Sequence, residues 1–253
     1  MANQKTPFFV GYLKVPNGLK SFLLVASVLF LTAFAGTSLL IGATQDDPGE
    51  AGFRFDYGRQ TVTGVIELDP YPLIRVTNGN KRIKAGQTLM LSAGGKIGIL
   101  ARAKPLGGKL ATVSGVILKR GELDMLQLRG GKAGMKLAEG EASTPTAKPL
   151  GKWLLAGEIC DGKCLAGAMQ PGTGLAHKAC ANLCLIGGIP PVFVSSKPVE
   201  GSEFLLIANE DGGPLSPSAY DRVGEYIKVE ADLERRGNLL VMKIDDSTIE
   251  SIR

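Results

Sequence analysis

Ala111-Thr-Val-Ser-Gly-Val-Ile-Leu-Lys-Arg-Gly-Glu-Leu-Asp-Met-Leu-Gln-Leu128 and Ile227-Lys-Val-Glu-Ala-Asp-Leu-Glu-Arg-Arg-Gly-Asn-Leu-Leu-Val-Met-Lys-Ile244 are one pattern written twice. In each, apolar residues alternate with polar ones, Arg-Gly interrupts the run, and a second apolar stretch follows. Period-two alternation around a glycine predicts a β-hairpin. The offset between the copies is 116 positions at Val113 and Val229, Gly121 and Gly237, and Leu123 and Leu239. It holds without a gap back to Leu89-Met-Leu91 and Leu205-Leu-Ile207.

Further upstream, Gly64-Val-Ile-Glu67 resembles Gly157-Glu-Ile159, and Pro70-Tyr-Pro-Leu-Ile-Arg-Val76 resembles Pro190-Pro-Val-Phe-Val194. Six positions separate Gly64 from Pro70, whereas 33 separate Gly157 from Pro190, so the second copy carries an insert of about 27 residues. Long insertions between strands are where function is commonly placed. A repeat of this length predicts a duplicated, mainly β scaffold with roughly four to six strands per copy, which fits a small barrel of the oligonucleotide-binding-fold type. That likeness of fold carries no ligand with it.

An apolar segment precedes the β region. Ser21 to Ala43 contains no charged residue over 23 positions, and at 1.5 Å per residue it reaches about 34 Å, enough to cross a hydrocarbon core of about 30 Å. Lys5, Lys14 and Lys20 precede it and Asp46, Asp47 and Glu50 follow it. Positive flanks stay in the cytoplasm, which predicts a single membrane pass with the C-terminal domains outside. The competing reading is a cleaved signal peptide ending near Ala33-Phe-Ala35; apolar sequence continues past that point to Ile41. The expected organisation is a cytoplasmic tail (1–20), a transmembrane helix (21–43), a tether (44–52), a first β domain (53–137), a linker (138–150) and a second β domain (151–253) with the insert at 160–188.

Composition argues for a folded exported body, with 44% apolar and 21% charged residues. The net charge of +5 includes Lys5, Lys14 and Lys20; without them 26 basic residues stand against 24 acidic ones. No Lys/Arg run with interleaved aromatics occurs, so nucleic acid is not an expected partner.

Every cysteine and the single histidine fall between Cys160 and Cys184. Leu175 to Ile186 is rich in helix formers, follows a Gly/Thr turn, and stops at Gly187-Gly188 before Pro190-Pro191, which predicts a short helix. On it His177, Cys180 and Cys184 share a face. Cys164 and Met169, across the Pro171-Gly172 turn, could add ligands from the opposing arm, and an Asp161-Gly162 turn could fold Cys164 back toward Cys160.

Three chemistries fit these groups. Two Cys-x3-Cys disulfides could staple the insert in an oxidising compartment. A metal site is the second, with Cys164, His177, Cys180 and Cys184 as ligands and Met169 as an optional one; Cys, Met and His suit copper, and Cys and His suit zinc. Thiol–disulfide exchange is the third, although the usual Cys-x-x-Cys spacing is missing. A Ser-His-acid triad would need His177 and has no Gly-x-Ser-x-Gly turn. Neither a dinucleotide fingerprint nor a phosphate loop is complete, and no Cys-x-x-Cys-His for haem occurs. No catalytic residue is therefore expected.

Pro70-Tyr-Pro72, Gly95-Lys96-Ile-Gly98, and Cys164-x4-Met169-x-Pro-Gly-x-Gly-x2-His177-x2-Cys180-Ala-x2-Cys184-x2-Gly-Gly-Ile-Pro-Pro191 together resemble a family of bacterial membrane-anchored periplasmic proteins. The likeness covers most of the exported chain and implies a bacterial envelope protein, anchored by a single pass in the inner membrane with its C-terminal domains in the periplasm, but it supplies no activity. Cys160 lies outside that segment, which leaves three cysteines and His177 as its nucleus. The expected function is a periplasmic binding or accessory protein holding a soft metal or serving a redox partner, with an envelope protein as partner. The alternatives are a disulfide-stapled interaction module without metal, and a thiol–disulfide exchange protein.

Overall fold

The computed structural model describes residues 14–44, 50–141 and 146–252, and the chain falls into two compact units, Met1–Asp47 and Pro48–Arg253. In the first unit, α1 (Asn17–Thr44) is a 28-residue helix with no buried residue, about 42 Å long at 1.5 Å per residue. Its apolar window has a mean hydropathy of 2.2, so it is long and apolar enough to span a membrane, as anchors and signal sequences both are. It starts one turn before the expected span.

The second unit is built of strands β1 (Gly52–Phe53), β2 (Gln60–Glu67), β3 (Leu73–Asn78), β4 (Thr88–Ser92), β5 (Leu110–Arg120), β6 (Leu123–Leu128), β7 (Met135–Leu137), β8 (Lys148–Asp161), β9 (Pro191–Val199), β10 (Ser202–Asn209), β11 (Tyr226–Arg236), β12 (Leu239–Ile244) and β13 (Glu250–Ser251). Helix α2 (Leu100–Ala103) precedes β5 and helix α3 (Lys178–Ile186) precedes β9. Two closed five-stranded barrels result. In the first, β5-β2-β3-β4-β6 closes through the β5–β6 pairing, and in the second β11-β8-β9-β10-β12 closes through β11–β12. Each barrel has one parallel contact, β4 with β6 and β10 with β12.

The registers repeat with the sequence. Met90 pairs Met125 where Leu206 pairs Val241, and Arg120 faces Leu123 where Arg236 faces Leu239. Each pair is 116 positions from its counterpart. Gly64 and Gly157 occupy equivalent places on β2 and β8, facing Ala111 and Ile227. A Cβ on Gly64 would overlap the carbonyl of Arg75, and one on Gly157 the carbonyl of Val194. Only glycine lets the neighbouring strand come this close.

Period-two alternation places Ala111, Val113 and Ile117 of β5 in the first barrel's core, and Ile227, Val229 and Leu233 of β11 in the second's. Strands β4, β6, β10 and β12 behave differently. Leu89 and Leu91 face their own barrel's core, while Met90 between them joins a separate cluster with Leu73, Leu118, Met125, Leu206, Ala208, Leu239 and Val241. That cluster lies between the barrels. These strands are buried on both faces, which is why they read as continuous apolar runs rather than alternating ones. Both barrels lie in one compact unit with a common apolar seam; the linker expected over 138–150 falls between them in sequence. Most of that linker lies among the described residues, and 142–145 lie outside them.

Candidate metal centre

The insert begins where β8 ends. Asp161 is fully buried, and its Oδ1 accepts the backbone N–H of Cys164 at 2.8 Å, closing a turn that starts a π-helical stretch, Cys164–Ala168. A 3-10 turn, Leu175–His177, runs into α3, matching the helix expected over 175–186. Its end is made by two glycines with different tasks. Gly188 adopts the left-handed conformation (φ +86°) that stops a helix. Gly187 keeps a helical φ of −73°, but a Cβ there would overlap the carbonyl of Lys96 from the first barrel. Gly98 closes the contact by donating its N–H to the Gly187 carbonyl at 2.8 Å. The insert is thus wedged against the loop between β4 and α2.

Three sulfurs meet in that wedge. Cys164 Sγ lies 4.0 Å from Cys180 Sγ and 3.9 Å from Cys184 Sγ, and the three ligand atoms all lie within 4.8 Å of one another. Cys164 and Cys184 are buried and Cys180 is half-buried. Four ligands in a tetrahedron around a metal with bonds of about 2.3 Å stand about 3.8 Å apart, so the observed separations suit coordination. A disulfide requires about 2.05 Å, and all four cysteines are free thiols.

A second, overlapping group joins Asp161, Cys164 and His177 within 4.8 Å. His177 is buried, its Nε2 is 3.0 Å from Asp161 Oδ2, and its Nδ1 has no hydrogen-bond partner among the described residues. A histidine that binds a metal through one nitrogen typically gives the other N–H to a carboxylate, and this pair has that form. The Cys/His/Asp cluster could hold a metal ion.

Two lysines converge on the sulfurs. Lys96, from the first barrel, places Nζ 2.7 Å from Cys180 Sγ and 3.5 Å from Cys184 Sγ. The hydrogen bond to Cys180 holds its ammonium well above the usual lysine range, against the opposing effect of burial. Lys163 is buried and donates to the carbonyls of Ala93 and Gly95, each at 2.6 Å. Burial lowers its pKa, and the neighbouring sulfurs of Cys184 and Cys164 oppose that fall. Between the paired thiols, the hydrogen bond from Cys164 pulls Cys184 down and Lys96 assists; the same bond, with burial, pushes Cys164 up. The site places the Lys96 ammonium within reach of two of the sulfurs.

The other residues singled out in the sequence lie apart. Met169 is 43% exposed. Cys160 donates its S–H to Glu158 Oε1 at 3.0 Å, and burial, then Glu158, push its pKa well up, so it is an inert buried thiol. Sequence reading missed Asp161, taken only as part of a turn, and Lys96, which is 68 positions before Cys164. Lys96 does stand in the Gly95-Lys96-Ile-Gly98 stretch noted beside the cysteine segment, and that was the available signal.

No family model, no curated protein and no solved structure matches the chain.

Proposed function

We propose that this is a membrane-anchored envelope protein that holds one soft metal ion, copper(I) or zinc(II), through Cys164, Cys180 and Cys184, with His177 as an adjacent ligand oriented by Asp161. The observation that carries this reading is the convergence of three thiols at coordination rather than bonding distance. Charge supports it. Three thiolates around a monovalent or divalent ion leave a net negative centre, and Lys96 and Lys163 stand beside it as counter-ions; a buried charge is tolerated only when paired. Lys5, Lys14 and Lys20 before the uncharged segment and the acidic residues after it support an exported placement, and the bacterial envelope family that the sequence resembles supports a periplasmic one.

Elemental analysis of protein purified without oxygen tests this directly. We expect close to one equivalent of copper or zinc, lost on changing Cys164, Cys180 or Cys184 to serine and retained in Cys160→Ser. Metal-free protein that also fails to take up cobalt(II) or copper(I) would sink the proposal.

A second reading draws on Cys180 alone. It sits in the first turn of α3, half-buried, against the Lys96 ammonium and 4.0 Å from Cys164. This is the environment of an exchange-competent thiol with a resolving partner. Thiol exchange predicts a mixed disulfide trapped by Cys164→Ser, whereas the metal reading predicts none.

A further inference from the structure

The three thiols form a set that is already complete for one kind of ion. Three donors spread evenly in a plane, on bonds of about 2.3 Å, stand about 4.0 Å apart. Cys164 Sγ lies 4.0 Å from Cys180 Sγ and 3.9 Å from Cys184 Sγ, and all three sulfurs lie within 4.8 Å of one another. His177 does not make a fourth corner. The group of Asp161, Cys164 and His177 shares only Cys164 with the sulfur trio, and its two other members are held on each other, His177 Nε2 to Asp161 Oδ2, at 3.0 Å.

The surroundings of the trio are equally poor in a further ligand. Lys96 places Nζ 2.7 Å from Cys180 Sγ and 3.5 Å from Cys184 Sγ, and an ammonium donates hydrogen bonds but has no lone pair to offer a metal. Cys164 and Cys184 pack in one buried cluster with Leu165, Ala166, Ile189 and Val192, and Cys180 packs against that cluster. Apolar neighbours of this kind do not fix a water in place.

We infer that the ion is copper(I), bound in the plane of the three sulfurs. The inference rests on the reading that these thiols hold a metal, and it adds which metal they hold. Zinc(II) in closed protein sites is almost always four-coordinate and tetrahedral, so here it would have to draw His177 or Asp161 off its partner and toward Cys180 and Cys184. Copper(I) is a soft ion that thiolates select, and three of them satisfy it. His177 is needed to complete the shell of zinc(II) and is dispensable for copper(I).

Competition between the two ions reads the difference. Full-length protein, purified in detergent without oxygen and stripped of metal, is given copper(I) and zinc(II) together at equal concentration, and the product is examined by elemental analysis and by X-ray absorption at the copper edge. We expect one equivalent of copper, complete loss of zinc from the protein, and a first shell of three sulfurs. His177→Ala and, with a donor to Asp161 retained, His177→Gln are expected to keep that copper and that shell. Zinc held in preference to copper, a four-coordinate copper shell, or loss of copper in both His177 variants would overturn the inference while leaving the cysteines as metal ligands. Protein that takes up neither ion would sink the inference together with the metal reading beneath it.

Discussion

At the scale of single residues, the centre depends on which groups touch sulfur and which hold those groups in place. Asp161 does both kinds of positioning at once, accepting from the Cys164 backbone and meeting His177 Nε2. Asp161→Asn keeps an oxygen for the first contact, but at the second it offers an amide donor or a weaker acceptor. Loss of such an outer partner typically weakens metal binding by about 10–100-fold, and we expect that loss in competition with a chelator, with the circular dichroism of the barrels unchanged. Lys96 acts through charge, so Lys96→Met is expected to weaken binding and Lys96→Arg to restore most of it; equal affinity in both variants would show that the ammonium plays no part. Residue types announced the three cysteines, because thiols gathered within one insert seldom serve packing alone. They could not announce Lys96 or Asp161, whose contacts with the insert exist only once the chain is folded.

Among the elements, the hairpins and the insert were legible and the reason for the glycines was only half so. Alternation places one row of side chains inward, so the β5–β6 and β11–β12 hairpins and their Arg-Gly turns follow from local pattern. Helix α3 was equally readable from its formers and its stop. Gly187-Gly188, however, reads as a stop signal when only the helix is considered, and just one of the two glycines serves that purpose. Gly188→Ala should cost about 1 kcal/mol for its left-handed backbone. Gly187→Ala meets no backbone strain but drives a methyl into the Lys96 carbonyl, an overpacking that costs about 1–3 kcal/mol and pushes the loop carrying Lys96 away from the sulfurs. Denaturant unfolding should show both losses, while metal affinity should fall more in Gly187→Ala; a larger affinity loss in Gly188→Ala would contradict the division of labour.

For the whole molecule, the seam between the barrels was present in the sequence as the unbroken apolar runs at Leu89-Met-Leu91, Leu205-Leu-Ile-Ala208 and Leu239-Leu-Val-Met242, which alternation alone does not explain. A common seam predicts common unfolding. Met90→Ala, which removes a fully buried side chain from the seam, should cost about 2–5 kcal/mol and lower a single calorimetric transition, whereas independent barrels would show two transitions with one unmoved. Acid should loosen the same junction. Arg236 of β11 reaches Glu67 Oε2 at 3.1 Å and the Asp69 carbonyl at 2.6 Å in the first barrel, and Glu234 Oε1 at 2.6 Å beside it, while Lys243 meets Glu234 Oε2 at 2.7 Å. Burial pushes the Glu234 carboxyl up, but the hydrogen bonds from Lys243 and Arg236 outweigh it and leave its pKa below the ordinary glutamate value. A carboxyl lowered in the folded state contributes stability that is complete above its unfolded pKa, about 4.3, and is lost as pH falls through the lower folded value. Unfolding free energy should therefore decline below about pH 4, and Glu234→Gln, which cannot titrate, should be less stable at neutral pH and show a shallower decline. An acid limb identical in slope to that of the unaltered protein would place the sensitive carboxyl elsewhere.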